Sequence, residues 1–427
     1  MRWSKEIFVA GFALFSMFFG AGNLILPVTL GFKAGTSWYL VFFGFALSAV
    51  IIPLLGIFAH ARLQGTMLDF GKKISPLFSL LYCMIVYVIS ITLPSPRTAA
   101  VTHEMAIAPF SEINSLTTSC IYFLLVLIFV LNRSRVLDFI GKFLTPLILL
   151  VILSIIGIGV FSTETIASDA SLTTPFISGL LEGYQTYDAI GAVVVGGVLI
   201  VSLRLKGEHD YAKNKRLLVK AGIVAGISLF IVYAGMIYNG ALLMNDFKID
   251  SSHTELLYEL SYQTIRAVGS LFLSVLIALA CFTTAVGIVT GTADFIKGVY
   301  HNSLLLYRIT AVIGCLLGVV MGQLPVSVIL SVGVPALLLI YPVTILLILL
   351  NVLPENTTTP ATCRLVIIVG VLFSIPDCIT SIINSESIAV MSEWIPLSSY
   401  KLGWVFPSVI VYILANTHRF LKKNHTV

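Results

Sequence analysis

Long apolar segments separated by short polar connections run through the whole chain. A segment of roughly 20 apolar residues, at 1.5 Å rise per residue, crosses the hydrocarbon core of a bilayer. By that measure the pattern predicts an all-α integral membrane protein with about twelve transmembrane helices. We number them spans 1 to 12, at residues 5–32, 38–59, 76–108, 118–131, 141–162, 176–203, 217–243, 263–298, 304–321, 326–351, 363–383 and 403–421. The connections are too short to be soluble domains, so we expect one polytopic membrane domain, residues 1–427.

Span 1 contains a stretch that does not suit a continuous helix, Phe18–Pro27. Gly20 and Gly22 flank an alanine and are followed by Asn23, and these residue types are poor helix formers in mid-span. Unpaired backbone groups at membrane depth are tolerated only where they face protein or a watery cavity. We therefore predict a break at Gly20–Asn23 whose N–H and C=O groups bind a small polar solute and an ion. The alternative is that the glycines only let two helices pack closely.

Span 6 contains a second polar stretch, Glu182–Ala192. Carboxylates, an amide and two phenols in mid-span are costly unless they line a wet cavity, although a purely structural polar network is the alternative. Breaks at corresponding positions of two five-helix halves are typical of an inverted repeat. We therefore predict a 5+5 inverted repeat with broken helices 1 and 6, at approximately residues 5–162 and 176–351, plus two additional helices within 363–421.

Spans 3 and 8 contribute further polar residues. Two prolines just before Arg97 predict a kink in span 3. We interpret Arg97 as the partner of Glu104, two turns along the same helix face, rather than as a gate or cavity-lining residue. In span 8, Thr283 and Thr284 are adjacent, and their hydroxyls either bond to the preceding turn or offer two oxygens to a cation.

Composition and charge agree with a membrane protein. Of the 427 residues, 58% are hydrophobic and only 11% are charged, which excludes a soluble domain. With both termini in the cytoplasm, 20 of the 25 lysines and arginines fall on the cytoplasmic side, a bias that agrees with the positive-inside rule. The exceptions are Lys33, Arg97, Lys248, Arg266 and Lys401. The basic runs beside spans are orientation signals, and no nucleic-acid partner or enzyme constellation is indicated.

Several motifs, in order along the chain, resemble those of the bacterial branched-chain amino acid:cation symporters. They are Phe18–Pro27, Pro96–Val101 with Glu104, Gly183-Tyr184 with Thr186, Asp188 and Gly191-Ala192, Ala280-Cys281 with Thr284-Ala285, and Val334-Pro335 with Ile340–Pro342. That family is similar to the wider amino acid-polyamine-organocation superfamily, which has the leucine-transporter-type fold. The resemblance implies Na⁺-coupled uptake of leucine, isoleucine and valine by alternating access, in a bacterial inner membrane. We infer no obligate protein partner.

The resemblance also implies roles for individual residues. The substrate carboxylate would bind the N–H groups of Ala21 and Gly22. The substrate amino group would bind the carbonyls of Phe18, Tyr184 and Gln185. The substrate-binding set is completed by Gly20, Asn23, Thr186, Tyr187 and Asp188. The Na⁺ ligands implied are the Ala280 carbonyl, the Thr283 and Thr284 hydroxyls, and the carbonyls of Ser16 and Phe19.

Two other functions stay open. The first is a proton-coupled transporter of another neutral amino acid, which would use Glu182, Asp188 or Asp377. The second is a membrane sensor that binds the amino acid without transporting it. Gln185 and Tyr187 stand where members of the family often have Leu and Met, which leaves the identity of the substrate side chain open.

Overall fold

The structure is a computed structural model that describes residues 5–132, 145–161, 166, 172–205, 210–243, 253–383 and 394–424. Within these ranges the chain forms helices and turns and contains no strand. The first half contains α1 (Lys5–Phe18), α2 (Ala21–Ala34), α3 (Trp38–Ala46), α4 (Ile52–Leu63), α5 (Leu68–Gly71), α6 (Pro76–Thr92), α7 (Pro94–Thr102), α8 (Ser115–Leu131) and α9 (Thr145–Val160). The second half contains α10 (Pro175–Glu182), α11 (Asp188–Leu205), α12 (Tyr211–Leu242), α13 (His253–Val299), α14 (Leu304–Met321), α15 (Val326–Val352), α16 (Pro360–Ile382) and α17 (Val405–Asn424).

The all-α fold predicted from the sequence is confirmed. Eight helical segments among the described residues are long and apolar enough to cross a membrane, and three shorter apolar helices accompany them. Span 9 was predicted at the bounds that α14 has, whereas α13 begins ten residues before the predicted start of span 8. Residues 141–144 and 162, the predicted ends of span 5, lie outside the described ranges. The number twelve and the inverted repeat stay predictions.

Glycines bring α2 and α12 into backbone contact. A methyl group added at Gly31 would lie 1.9 Å from the Ile237 carbonyl oxygen, and one added at Gly240 would lie 2.1 Å from that of Val28. Neither position can therefore hold a side chain without separating the helices, which explains the need for glycine here. The crossing of α3 and α10 has the same basis, through Gly44 and Gly179.

The helix of span 1 is interrupted, as predicted, but the interruption comes earlier than Gly20–Asn23. It consists of Phe19 and Gly20, because α1 ends at Phe18 and α2 begins at Ala21. The Asn23 side chain accepts a hydrogen bond from the Gly20 N–H at 3.1 Å. Asn23 thus caps the first turn of α2 instead of lying in the break, a local role typical of a short amide side chain near a helix start.

The helix of span 6 is interrupted as well. α10 ends at Glu182, a 3₁₀ turn covers Gly183–Thr186, and α11 begins at Asp188. Tyr187, between the turn and α11, has a φ of +63°, a left-handed conformation that is unfavourable for a bulky residue. The two interruptions lie next to each other, since Gly22 near the start of α2 lies against the Gln185 carbonyl of the 3₁₀ turn. Irregular backbone is thus gathered in one buried region of the bundle.

Candidate functional site

The start of α2 presents unpaired amide groups to the interruption. Gly20 is extended, with φ −116° and ψ −163°, which separates the axes of α1 and α2. The first N–H groups of any helix lack a carbonyl partner one turn back. Here the side chain of Asn23 satisfies the Gly20 N–H, while Ala21 and Gly22 form the first turn behind it. The positive end of the α2 dipole therefore faces the break, where an anion is stabilised.

A buried polar network joins the two interruptions to α12. The Asn23 amide donates to the Asp188 carboxylate at 2.8 Å and to the Tyr233 hydroxyl. The Tyr233 hydroxyl in turn donates to the same carboxylate oxygen at 3.0 Å. Asn23 is 1% exposed and Asp188 2% exposed, so the hydrogen bonds compensate for the loss of hydration of this acid. Sequence reasoning missed Tyr233, because one tyrosine within the largely apolar stretch 221–237 gives no pattern that marks it.

The 3₁₀ turn of span 6 is held by its own side chains and by α15. The Thr186 hydroxyl donates to the Gly183 carbonyl at 2.8 Å, and the Gln185 amide donates to the Glu182 carboxylate at 2.7 Å. The Tyr341 hydroxyl accepts from the backbone N–H of Ala189 at 3.2 Å. Side chains therefore fix a segment whose backbone lacks the regular α-helical ladder.

Arg97 lies in this region, and its predicted pairing with Glu104 is wrong. Its Nη1 donates to the Gln185 carbonyl at 2.9 Å, and its Cζ lies 5.2 Å from the centre of the Tyr187 ring. The Glu104 carboxylate instead accepts from the backbone N–H of Val326 at 3.0 Å. Residues seven apart are separated by roughly 10 Å along a helix axis. Each side chain therefore finds a closer partner on another element.

Oxygen atoms of α1 and α13 converge beside the first interruption. The Thr283 hydroxyl is 3.1 Å from both the hydroxyl and the carbonyl oxygen of Ser16, and 2.9 Å from the Ala280 carbonyl oxygen. The Thr284 hydroxyl is 3.1 Å from the Ala280 carbonyl oxygen and 3.5 Å from that of Phe19. All five residues that the sequence analysis assigned to Na⁺ are thus neighbours. Neutral oxygen donors of this kind suit a hard cation.

A cavity lies between the two interruptions. Arg97 and Asp188 contribute charged groups to its lining, whereas Phe18, Ile190 and Ile288 contribute apolar surface. A cavity with groups of both signs and an apolar wall matches a small zwitterion with an aliphatic side chain.

The predicted site residues lie in and around this cavity. Those that line it are Phe18, Gly20, Asn23, Thr186, Tyr187, Asp188 and Thr284. Ala21, Gly22, Tyr184 and Gln185 lie in the adjoining turns, and Ser16, Phe19, Ala280 and Thr283 form the oxygen cluster described above. Glu182 and Asp377, considered for proton coupling, do not line the cavity.

Comparison with known proteins agrees with this architecture. Residues 3–422 match the model of a family described as branched-chain amino acid transport protein. The chain is 32% identical over 418 residues to the branched-chain amino acid transport system 2 carrier protein of Pseudomonas aeruginosa, covering 96% of this chain and 95% of that one. It is 30% identical over 418 residues to the branched-chain amino acid permease BraB of Bacillus subtilis, covering 95% and 94%.

Solved structures share the fold at low sequence identity. A mutant of the manganese transporter of Eremococcus coleocola has a TM-score of 0.64 at 15% identity. The match covers 95% of this chain and 94% of that transporter. A Na⁺-coupled sialic acid symporter in a substrate-bound outward-open state has a TM-score of 0.60 at 13% identity. The match covers 96% of this chain and 89% of that symporter. The described residues here contain no group of three or more His, Cys, Asp or Glu that could hold a metal ion. At 15% identity, the likeness to the manganese transporter is one of fold alone.

Proposed function

The chain belongs to the branched-chain amino acid transport protein family and is a transporter rather than an enzyme, and we propose that it imports leucine, isoleucine and valine by Na⁺ symport. It has the leucine-transporter-type fold, whose members change access to a central site from one side of the membrane to the other. The interrupted helices beside a cavity with charged and apolar walls are the observation that carries the proposal.

The substrate would lie in the cavity between the two interruptions. Its carboxylate would lie at the positive end of α2, near the N–H groups of Ala21 and Gly22. Its ammonium group would face the carbonyls of Phe18 and the 3₁₀ turn, with Asp188 supplying negative charge nearby. The apolar wall would bind the aliphatic side chain. At about 0.8 kcal/mol per buried CH₂, leucine would gain about 2 kcal/mol over alanine.

Sodium would bind the oxygen cluster of α1 and α13. The Thr283 and Thr284 hydroxyls bond to the Ala280 carbonyl of their own helix and to the carbonyls of Ser16 and Phe19. A cation that drew on those oxygens would hold α13 against the end of α1. Because α1 ends two residues after Ser16, Na⁺ binding would also fix the shape of the substrate site. The binding of Na⁺ and the binding of substrate would therefore be coupled.

The membrane arrangement belongs to the same proposal. One polytopic domain, residues 1–427, would lie in a bacterial inner membrane with both termini in the cytoplasm. The distribution of lysine and arginine supports this orientation. Bound Na⁺ would favour an outward-open state, and its inward gradient would drive the transition to the inward-open state.

Proton coupling is the second candidate, and one specific observation favours it. Asp188 is an almost fully buried carboxylate that lines the cavity and is hydrogen-bonded to Asn23 and Tyr233. A group in this position could gain and lose a proton as access alternates.

Uptake into proteoliposomes distinguishes these mechanisms. Radiolabelled leucine, isoleucine, valine and alanine are offered with a Na⁺ gradient alone, a pH gradient alone, or neither. We expect concentrative uptake of the three branched amino acids with the Na⁺ gradient only. Uptake that follows the pH gradient and ignores Na⁺ would establish the second candidate, and tight binding without uptake in sealed vesicles would establish a sensor.

A further inference from the structure

Arg97 is held at the centre of the site by contacts that use only part of its hydrogen-bonding capacity. It is 3% exposed and lines the cavity. A guanidinium group has five N–H donors. Its Nη1 donates to the Gln185 carbonyl, and the Tyr187 ring lies against the guanidinium face. Among the described residues its buried Nε has no hydrogen-bond partner.

The guanidinium lies directly against the start of α2. A methyl group added at Gly22 would come within 2.5 Å of Nη2 and 3.0 Å of Cζ of Arg97. The absence of a side chain at Gly22 therefore allows a cation to approach the first turn of the helix. That turn carries the partial positive charge of the helix dipole, so the two groups repel each other unless an anion lies beside both.

The acids on neighbouring elements do not supply that anion by direct contact. Arg97 forms no ion pair within the described part of the chain, unlike Arg62 with Glu355 and Lys72 with Asp69, so no carboxylate there lies within 4.0 Å of it. Glu104 is bound to the start of α15, and Asp188 is bound to Asn23 and Tyr233. A purely structural buried arginine is expected to have its donors and its charge satisfied by the protein.

We propose that Arg97 binds the carboxylate of the transported amino acid, together with the first turn of α2. A planar guanidinium matches a carboxylate by two parallel N–H···O bonds, and an ammonium group does not reproduce that geometry. Arg97 thus determines specificity for an α-carboxylate, and the apolar wall selects the side chain. This assignment rests on the proposed amino acid transport function.

The test measures the affinities of leucine and of two analogues that each lack one charged group. 3-Methylbutylamine is leucine without its carboxylate, and 4-methylpentanoate is leucine without its amino group. Each ligand is titrated against the purified full chain in detergent with Na⁺, and dissociation constants are taken from the ligand-induced shift in melting temperature. The variants are Arg97→Gln and Arg97→Lys, with Arg308→Gln as the control, because Arg308 is an exposed arginine near the start of α14.

We expect Arg97→Gln to raise the dissociation constants of leucine and 4-methylpentanoate by about 10- to 100-fold, the range for a lost hydrogen bond to a charged group. The dissociation constant of 3-methylbutylamine should not change, because the amine never contacted Arg97. The dissociation constants of Arg97→Lys should lie between those of the wild type and of Arg97→Gln. Those of Arg308→Gln should equal the wild-type values.

Gly22→Ala keeps the arginine in the chain and displaces its guanidinium, so it tests the same claim if the Arg97 variants do not fold. It should raise the dissociation constants of leucine and 4-methylpentanoate and leave that of 3-methylbutylamine unchanged. A leucine affinity in Arg97→Gln within about twofold of wild type, below the smallest effect of a lost charged hydrogen bond, would overturn the assignment. Equal losses for all three ligands would also overturn it, since they indicate a structural role. A wild-type chain that binds no branched amino acid would instead remove the proposed function, and this assignment with it.

Discussion

Replacing Thr284 by alanine separates Na⁺ coupling from folding more cleanly than any other change at the oxygen cluster. The Thr284 hydroxyl makes one local bond, to the Ala280 carbonyl at 3.1 Å, and reaches the Phe19 carbonyl only at 3.5 Å. A hydroxyl bonded to the preceding turn contributes little to helix stability. The free energy of unfolding should therefore fall by no more than about 1 kcal/mol.

The effect on Na⁺ should be larger. Thr284 is one of five residues proposed to surround the ion, and an oxygen that contacts a charge contributes about 1.5–3 kcal/mol. Its removal should raise the Na⁺ concentration for half-maximal leucine uptake by about 10- to 100-fold. The saturating rate should recover at high Na⁺, because the remaining oxygens still bind the ion.

Thr292→Ala is the matched control on the same helix. The Thr292 hydroxyl bonds to the Ile288 carbonyl at 2.9 Å, a contact of the same kind within its own helix and without a partner among the described residues of α1. The assay is leucine uptake into proteoliposomes over a range of Na⁺ concentrations, together with the melting temperature of each purified variant. Thr284→Ser retains the oxygen and should behave as wild type.

The reasoning is refuted if Thr284→Ala and Thr292→Ala show the same Na⁺ concentration for half-maximal uptake. It is also refuted if the melting temperature of Thr284→Ala falls far below that of Thr292→Ala, since the loss of uptake would then reflect folding.

Two further predictions concern the network and the helix crossing. Asn23→Leu removes all the hydrogen bonds of a buried amide and should lower the free energy of unfolding by about 2–4 kcal/mol. Tyr233→Phe removes one hydroxyl and should lower it by about half as much. Chemical denaturation of the purified variants measures both changes. An equal loss would show that Asn23 does not join the two interruptions. Gly31→Val should lower the melting temperature strongly because its Cβ would lie 1.9 Å from the Ile237 carbonyl oxygen. Gly157→Ala is its control, with open space around the added methyl, and should be neutral or slightly stabilising; similar losses at both glycines would contradict the packing argument.

The positions of most helices followed from the sequence because they depend on local properties. Bilayer thickness sets the number of apolar residues in a span, and α14 has the bounds predicted for span 9. The interruption near Gly20 was also foreseen, because glycine is a poor helix former wherever it occurs. The interruption begins one residue and ends three residues earlier than predicted, since Asn23 caps α2 through its side chain, a choice that helix propensity does not encode.

The partners of the charged residues were decided by the tertiary structure alone. Sequence spacing suggested Glu104 for Arg97, yet the guanidinium contacts a carbonyl 88 residues away. Tyr233 joins Asp188 across 45 residues, from a largely apolar stretch of α12. Spacing along one helix shows which residues share a face, but not which other helix packs there. Hydrophobic pattern and helix propensity thus determined where the chain crosses the membrane and where its helices are interrupted. The packing of separate helices determined which charged groups meet in the cavity, because a buried charge must find a partner among the groups nearest to it in space.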